Sequence, residues 1–217
     1  MAGWAHVFVV PANEASRQDI AAVFGTRGQA ATCWCQRYKL APRRRSSILP
    51  ARRAGRAPPP ADQCGVPDAR TTSGLVAYLD GEPVGWCAVE PRTAYPGLLR
   101  VYRTPWQGRH EDKADATVWA VTCFLIRAGY RHQGISRALA RAAVEHARSR
   151  GARAIEGYPM ISQPGVEVTW GEEHVGFSDV FAEAGFREAS RPGIRRVVMR
   201  IDFDAPATHP SPQPTTR

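Results

Sequence analysis

No apolar run in the 217 residues approaches the length of about 18 to 20 that a membrane-spanning helix needs. A helical integral membrane protein is therefore excluded. Paired CxxC motifs are missing too. The five cysteines, Cys33, Cys35, Cys64, Cys87 and Cys123, are odd in number and irregular in spacing, which lends a zinc site little support. Cys33 and Cys35 are too close for an easy disulfide, and Cys87 and Cys123 sit inside apolar runs as buried thiols. A reducing compartment is the simplest reading. Residues 1–11 lack a basic leader and a small-residue cleavage site, so Val7–Val10 reads as part of a first strand rather than of a signal peptide. The expectation is a soluble, cytoplasmic chain. Two nucleotide-binding motifs are also absent: no GxGxxG follows a strand, and no Walker-type loop supplies its lysine. The chain shows no internal repeat.

What is present fits one domain. A 43% hydrophobic content over 217 residues supplies a proper core. That domain is expected over residues 1–203, with a Pro- and Thr-rich tail, 204–217, expected to be disordered. The formal net charge is +9, and the cations are unevenly placed. Arg43, Arg44, Arg45, Arg52, Arg53 and Arg56 fall in a Pro-rich stretch without aromatic residues. A nucleic-acid groove interleaves stacking aromatics with its cations, so a solvated loop is the first reading, an anion contact the second and nucleic acid the last. The whole stretch 41–74 lacks hydrophobic periodicity and reads as an irregular Arg/Pro-rich insertion.

Elsewhere periodicity assigns the elements. Residues 4–10 read as a strand and 15–24 as a short amphipathic helix with Ile20, Val23 and Phe24 on one face. Residues 75–79 and 84–89 are apolar strands joined at Asp80-Gly81, a strong hairpin signal. Residues 118–126 form a continuous apolar run suited to a buried central strand. Residues 135–150 form a helix with Ile135, Leu139, Ala143 and Ala147 on one face and Gly151 as its stop. A strand at 154–158, a helix at 178–184 and a strand at 195–201 complete the order β-α-loop-β-β-β-α-β-α-β, an α/β domain with one mixed sheet.

The informative stretch is the junction at residues 121–137, where a buried strand enters a loop that opens into the long helix. The first N–H groups of a helix lack internal partners, and the helix dipole adds positive charge there. Gly134 lets a ligand approach the backbone, Ser136 is small, and Arg131, His132 and Arg137 add side-chain donors. Together they form a cradle for a pyrophosphate.

Arg131-His132-Gln133-Gly134-Ile135-Ser136 resembles the Q/R-x-x-G-x-G/A pyrophosphate loop of the GNAT acetyltransferases. The strand before it, the Ala/Leu helix after it, residues 151–159 and the Val180–Phe186 stretch are similar to that superfamily in the same order. The resemblance implies the GNAT fold, a mixed and mostly antiparallel sheet flanked by helices in a single domain. It implies acetyl-CoA as co-substrate, no metal, and direct attack of a primary amine, on a small molecule or a protein, on the thioester. Backbone groups of Phe124, Leu125 and Ile126 would pair with the pantetheine arm, and those of His132 to Arg137 would hold the pyrophosphate. A splay between the strands ending at Ile126 and Tyr158 would admit the reactants, with an oxyanion donor near Leu125 or Ile126.

The chain departs from the family pattern in the irregular stretch 41–74, where many relatives carry helical structure that walls the acceptor site, and at positions that bear on catalysis. Phe181, counted with the cofactor-binding residues, stands where many relatives carry a thiolate-protonating Tyr. The central strand offers no base, because Val118, Ala120 and Thr122 share its face. Tyr158 is the candidate acid, and Glu156 and Glu90 are candidate bases acting through water. Trp34 and Tyr38 are expected as aromatic walls of the acceptor pocket; Trp86 is a further candidate, with core packing the better reading. His110, His146 and His174 read as surface histidines. The alternative function is a CoA-binding regulatory domain with little catalysis. Membrane partners are not expected, and a homodimer is open.

Overall fold

The computed structural model describes residues 7–28, 30–33, 35, 38–39, 63, 66–100, 104–162 and 173–203. Within them the strands are β1 (Val7–Pro11), β2 (Gly74–Leu79), β3 (Glu82–Pro91), β4 (Val118–Ile126), β5 (Ala154–Gly157), β6 (Arg187–Gly193) and β7 (Arg196–Asp202). The α-helices are α1 (Arg17–Phe24), α2 (Ala30–Cys33), α3 (Pro96–Arg100), α4 (Ile135–Ser149) and α5 (Ser178–Glu183). The seven strands form one sheet in the order β1-β2-β3-β4-β5-β7-β6. Only β4 and β5 run parallel, and α4 makes the crossover between them.

The local reasons are visible in the residues. Asp80 and Gly81 both take positive φ, 51° and 85°, as the two-residue hairpin turn between β2 and β3 demands. The Ser16 hydroxyl accepts from Asp19 N–H at 3.0 Å and caps α1. Gly151, at φ 75°, ends α4.

The sheet is covered on both faces, which explains its continuous apolar runs. Alternate residues divide between the faces. Leu75, Ala77, Cys87, Val89 and Val121 meet Leu139, Ala143 and Ala147 of α4. Val76, Tyr78, Trp86 and Ala88 meet Ile20, Val23 and Phe24 of α1. A third cluster collects Tyr38, Tyr95, Leu98, Trp106, Ala120, Tyr158 and Val198.

Strand β6 is absent from the sequence expectation. Its residues, Arg187–Gly193, are largely exposed and polar, so no alternation marks them; they form the sheet edge by pairing with β7. Helices α2 and α3 are too short for periodicity to declare. Of the expected insertion, residues 41–62 and 64–65 lie outside the described residues, as do the tail 204–217 and the six clustered arginines. Among the described residues, no helix is long and apolar enough to cross a membrane.

Candidate active site

The site starts where the sheet splits. β5 pairs with β4 from Val118↔Ala154 to Val121↔Gly157 and then stops, while β4 continues to Ile126. On the other side, Ala88 faces Cys123 and Val89 faces Val121, so Thr122 is the extra residue of a bulge. Phe124 N–H donates to the His174 carbonyl at 2.6 Å, and Arg127 N–H donates to Val84 of β3 at 2.9 Å. Strand alternation then turns the Phe124 carbonyl and the backbone groups of Ile126 into the split, while the Phe124 N–H, expected from sequence to meet the pantetheine arm, is taken by His174. Leu125 N–H turns to β3, so of the two oxyanion donors expected from sequence only Ile126 faces the opening.

The loop after β4 ends at Gly134, whose left-handed φ of 76° turns the chain into α4. His132 shares the left-handed region at φ 62°. Arg137 and Ala138 N–H bond back to Gly134 O at 3.0 and 3.1 Å. Among the described residues, no acceptor takes the N–H of Gly134, Ile135 or Ser136. These donors open onto a cleft of about 390 Å³ between the end of β4, the start of α4 and residues 173–180. Phe124, Leu125, Ile126, Arg131, His132, Gly134, Ile135, Ser136 and Arg137, all named from sequence, line it together. Gln133 is exposed beside it, its side chain donating to Gly129 O at 3.5 Å. Arg137 bends elsewhere: its guanidinium bridges to Asp179 at 3.2 Å and Glu183 at 2.6 Å, tying α4 to α5.

Phe181 stands behind the cleft rather than on it. It is fully buried, edge-on to Phe124 and Phe186 at centroid distances of 5.6 and 5.0 Å. A Cβ on Gly157 would come within 2.1 Å of its ring.

The candidate acids and bases are deeply engaged. Glu156, fully buried, accepts from Arg92 at 3.1 Å and Tyr158 at 2.6 Å on one oxygen. Its other oxygen meets Arg109 at 2.6 Å and Arg200 at 3.3 Å. Burial first, then the Glu156 carboxylate, push the Tyr158 phenol well above its ordinary pKa. Arg92 is itself fully buried, its guanidinium 5.0 Å from the centre of the Trp106 ring. Glu90 pairs with Lys39 at 2.7 Å and lies opposite Ala120, where β4 and β5 are still joined.

On the acceptor side, Trp34 lies outside the described residues. Tyr38 is buried, and its hydroxyl is 3.4 Å from His174 Nε2. Trp86 is 1% exposed, packed on Phe24 beneath α1, and does not line the cleft. His174 overturns the surface reading: it is 7% exposed and lines the cleft. His146 is likewise buried, edge-on to Trp119 at 5.6 Å. No local period marks His174; His146, by contrast, follows Leu139 by seven residues and Ala143 by three, so the helical period already sets it on the buried face. Among the described residues, no group of three His, Cys, Asp or Glu is arranged to hold a metal ion.

Solved structures similar to this chain include the ribosomal-protein-S18-alanine N-acetyltransferase of Escherichia coli. It is 10% identical, with 95% of this chain and 99% of that one covered and a TM-score of 0.47. A GNAT family acetyltransferase from Brucella melitensis in complex with acetyl-CoA is 14% identical, with coverages of 93% and 90% and a TM-score of 0.40. An N-acetyltransferase from Staphylococcus aureus is 11% identical, with coverages of 91% and 99% and a TM-score of 0.46. No curated protein sequence matches the chain. The sequence itself matches the acetyltransferase (GNAT) family over residues 46–158, a span that runs from before β2 through Tyr158 and takes in the whole β4–α4 junction. That span is more than half of the chain, and the protein belongs to the acetyltransferase (GNAT) family.

Proposed function

We propose that the chain transfers the acetyl group of acetyl-CoA to a primary amine, on a small molecule or a protein. The observation that carries this reading is the set of open N–H donors at Gly134, Ile135 and Ser136, beside the backbone of β4 where it parts from β5. Backbone donors at a helix start suit a pyrophosphate. The strand edge at Ile126 suits an extended amide-bearing arm, which would pair there as an added strand does. Arg131 and His132 add positive charge at the same mouth. The residues present therefore fit acetyl-CoA.

In this reading the chain brings two reactants together at the split. The amine attacks the thioester carbonyl, the C–N bond forms and the C–S bond breaks. Ile126 N–H is placed to meet the negative charge that develops on the carbonyl oxygen. Tyr158 directs its hydroxyl hydrogen at Glu156, and that contact argues against its acting as the acid. Glu156 is occupied by three guanidinium groups.

A second reading, a CoA-binding domain with little turnover, is favoured by one observation: Phe181 is buried and has no hydroxyl to offer a thiolate. Calorimetric titration with acetyl-CoA, followed by thiol release over ethylamine, spermidine, an aminoglycoside and peptides with a free Lys or N-terminus, separates the two. Binding with turnover on any of these supports transfer. Binding without turnover on all of them supports the second reading, and absence of binding overturns both.

A further inference from the structure

We infer that His174 is the group that takes the proton from the attacking amine, with Tyr38 as the residue that positions its ring. The inference rests on the acetyl-transfer reading and adds to it a residue with a role.

Attack by an amine needs a proton acceptor near the thioester carbon. The candidates expected from sequence are held in other contacts. Both oxygens of Glu156 accept from cations or from Tyr158. Glu90 is ion-paired to Lys39 and sits under the joined part of β4 and β5. His174 lies where they do not. Its own carbonyl accepts from Phe124 N–H at 2.6 Å, which fixes its backbone against β4 just past the last β4–β5 pair. The residue lines the cleft and is 7% exposed, so bulk water does not surround it.

Its ring is held. Tyr38 lies with its hydroxyl 3.4 Å from Nε2 and its ring centre 6.2 Å from the imidazole. Tyr38 is in turn seated by its own backbone, whose carbonyl accepts from Gly97 N–H at 2.7 Å. Gly176, at φ 79°, sets the turn beneath: a Cβ there would reach within 2.9 Å of the Phe124 ring. Tyr38 thus meets the imidazole while β4 holds the backbone of the same residue at the split.

The step balances without another reactant. As the C–N bond forms, the imidazole takes the proton leaving the nitrogen. As the C–S bond breaks, the electron pair goes to sulfur and the imidazolium returns that proton to it. The products are an amide and a free thiol, and the imidazole is neutral again.

Other titratable groups face the same space. Glu173 precedes His174, Asp179 comes from α5, and His132 lies on the opposite wall. Arg131 and Arg137 are cations across the cleft, and the Lys39–Glu90 pair follows Tyr38. A pH profile alone would not tell these apart, so the test compares variants.

The test uses the full chain with acetyl-CoA and whichever amine of the panel above turns over fastest, across a range of pH. His174→Gln keeps the size and polarity of the side chain but cannot take a proton. Its kcat is expected to fall about 100-fold or more, with acetyl-CoA affinity within about threefold of the parent. The decline of kcat at low pH should vanish with it, the amine's own titration cancelling between the two proteins. Tyr38→Phe should lower kcat about fivefold, the worth of one hydrogen bond, and move that low-pH decline without abolishing it. A folded His174→Gln protein with unchanged kcat and an unchanged profile overturns the assignment of His174 while leaving acetyl transfer standing. If His174→Gln does not fold, Tyr38→Phe decides: a moved decline supports the role and an unmoved one overturns it. Failure of the parent protein to turn over any amine sinks the transfer reading, and this role falls with it.

Discussion

The Tyr158 hydroxyl donates to Glu156 at 2.6 Å, inside a ring of three arginines that holds the same carboxylate. A proton so placed serves the charge cluster rather than the cleft. Tyr158→Phe should therefore leave kcat within about fivefold of the parent, since Glu156 loses one of four donors and keeps its cations. Stability should fall by about 1 kcal/mol. Thiol-release kinetics and urea denaturation check the two numbers. A fall in kcat of about 100-fold would return Tyr158 to the role of acid.

Gly157 closes β5 against the buried ring of Phe181. An added methyl would lie 2.1 Å from Phe181 Cε1, far inside contact distance. Gly157→Ala should destabilise the fold by about 1 to 3 kcal/mol or more, the usual cost of overpacking. Combining it with Phe181→Leu should recover part of that loss, because the clash is then relieved. Denaturant midpoints of the two single variants and the double variant read the coupling directly. Strict additivity would show that the two positions do not meet.

Gly134 offers a different contrast, because no atom beyond its own stretch of chain lies within 4 Å of a Cβ built there. Any penalty beyond backbone strain must then come from a ligand. Gly134→Ala should cost about 1 kcal/mol through the left-handed φ and weaken acetyl-CoA binding modestly. Gly134→Glu should abolish binding measurable by calorimetry, by setting a carboxylate against the pyrophosphate. Retained micromolar affinity in a folded Gly134→Glu protein would move the phosphate site elsewhere.

His146 is buried on α4 against Trp119, and burial, then Arg150, lower its pKa to about 4. Its pKa in the unfolded chain is about 6.5. Between those values the unfolded state binds the extra proton, so stability is complete above the upper value and declines as pH falls toward the lower one. The contribution is on the order of 2 kcal/mol, discounted for the hydration the ring keeps. Denaturation at pH 7.5 and 4.5 should show a smaller acid loss in His146→Gln than in the parent. Equal losses would assign the acid sensitivity to other groups.

The sheet interior and the helix that crosses it were legible because burial leaves a period. Residues 118–126 appear as β4 at those limits, and Ile135, Leu139, Ala143 and Ala147 lie on the buried face expected of them. The turn into α4 was legible for another reason: Gly134 stands between an apolar strand and a long helix, where the chain takes a left-handed φ. Edge strand β6 was not legible, since an exposed strand needs no apolar alternation. Nor was the engagement of Glu156 or the burial of His174. Arg92, Arg109 and Arg200 reach Glu156 across 44 to 64 residues of chain, and Tyr38 reaches His174 across 136. Contacts so remote along the chain have no local signature.

The buried carboxylate of Glu156 also works as a ruler. Strand β5 is only four residues long, with Ile155 on the apolar face toward α4 and Glu156 on the charged face toward Arg92. A slip of one residue would exchange the two, driving a carboxylate among aliphatic side chains and leaving three arginines without their anion. A shift of β5 by one residue in either direction between β4 and β7 meets that penalty. Because the fork in the sheet opens where β5 ends, the same charge fixes how far along β4 the opening begins. Reach and aperture of the cleft are thus set by an ion cluster on the other side of the strand from the helix that forms its floor.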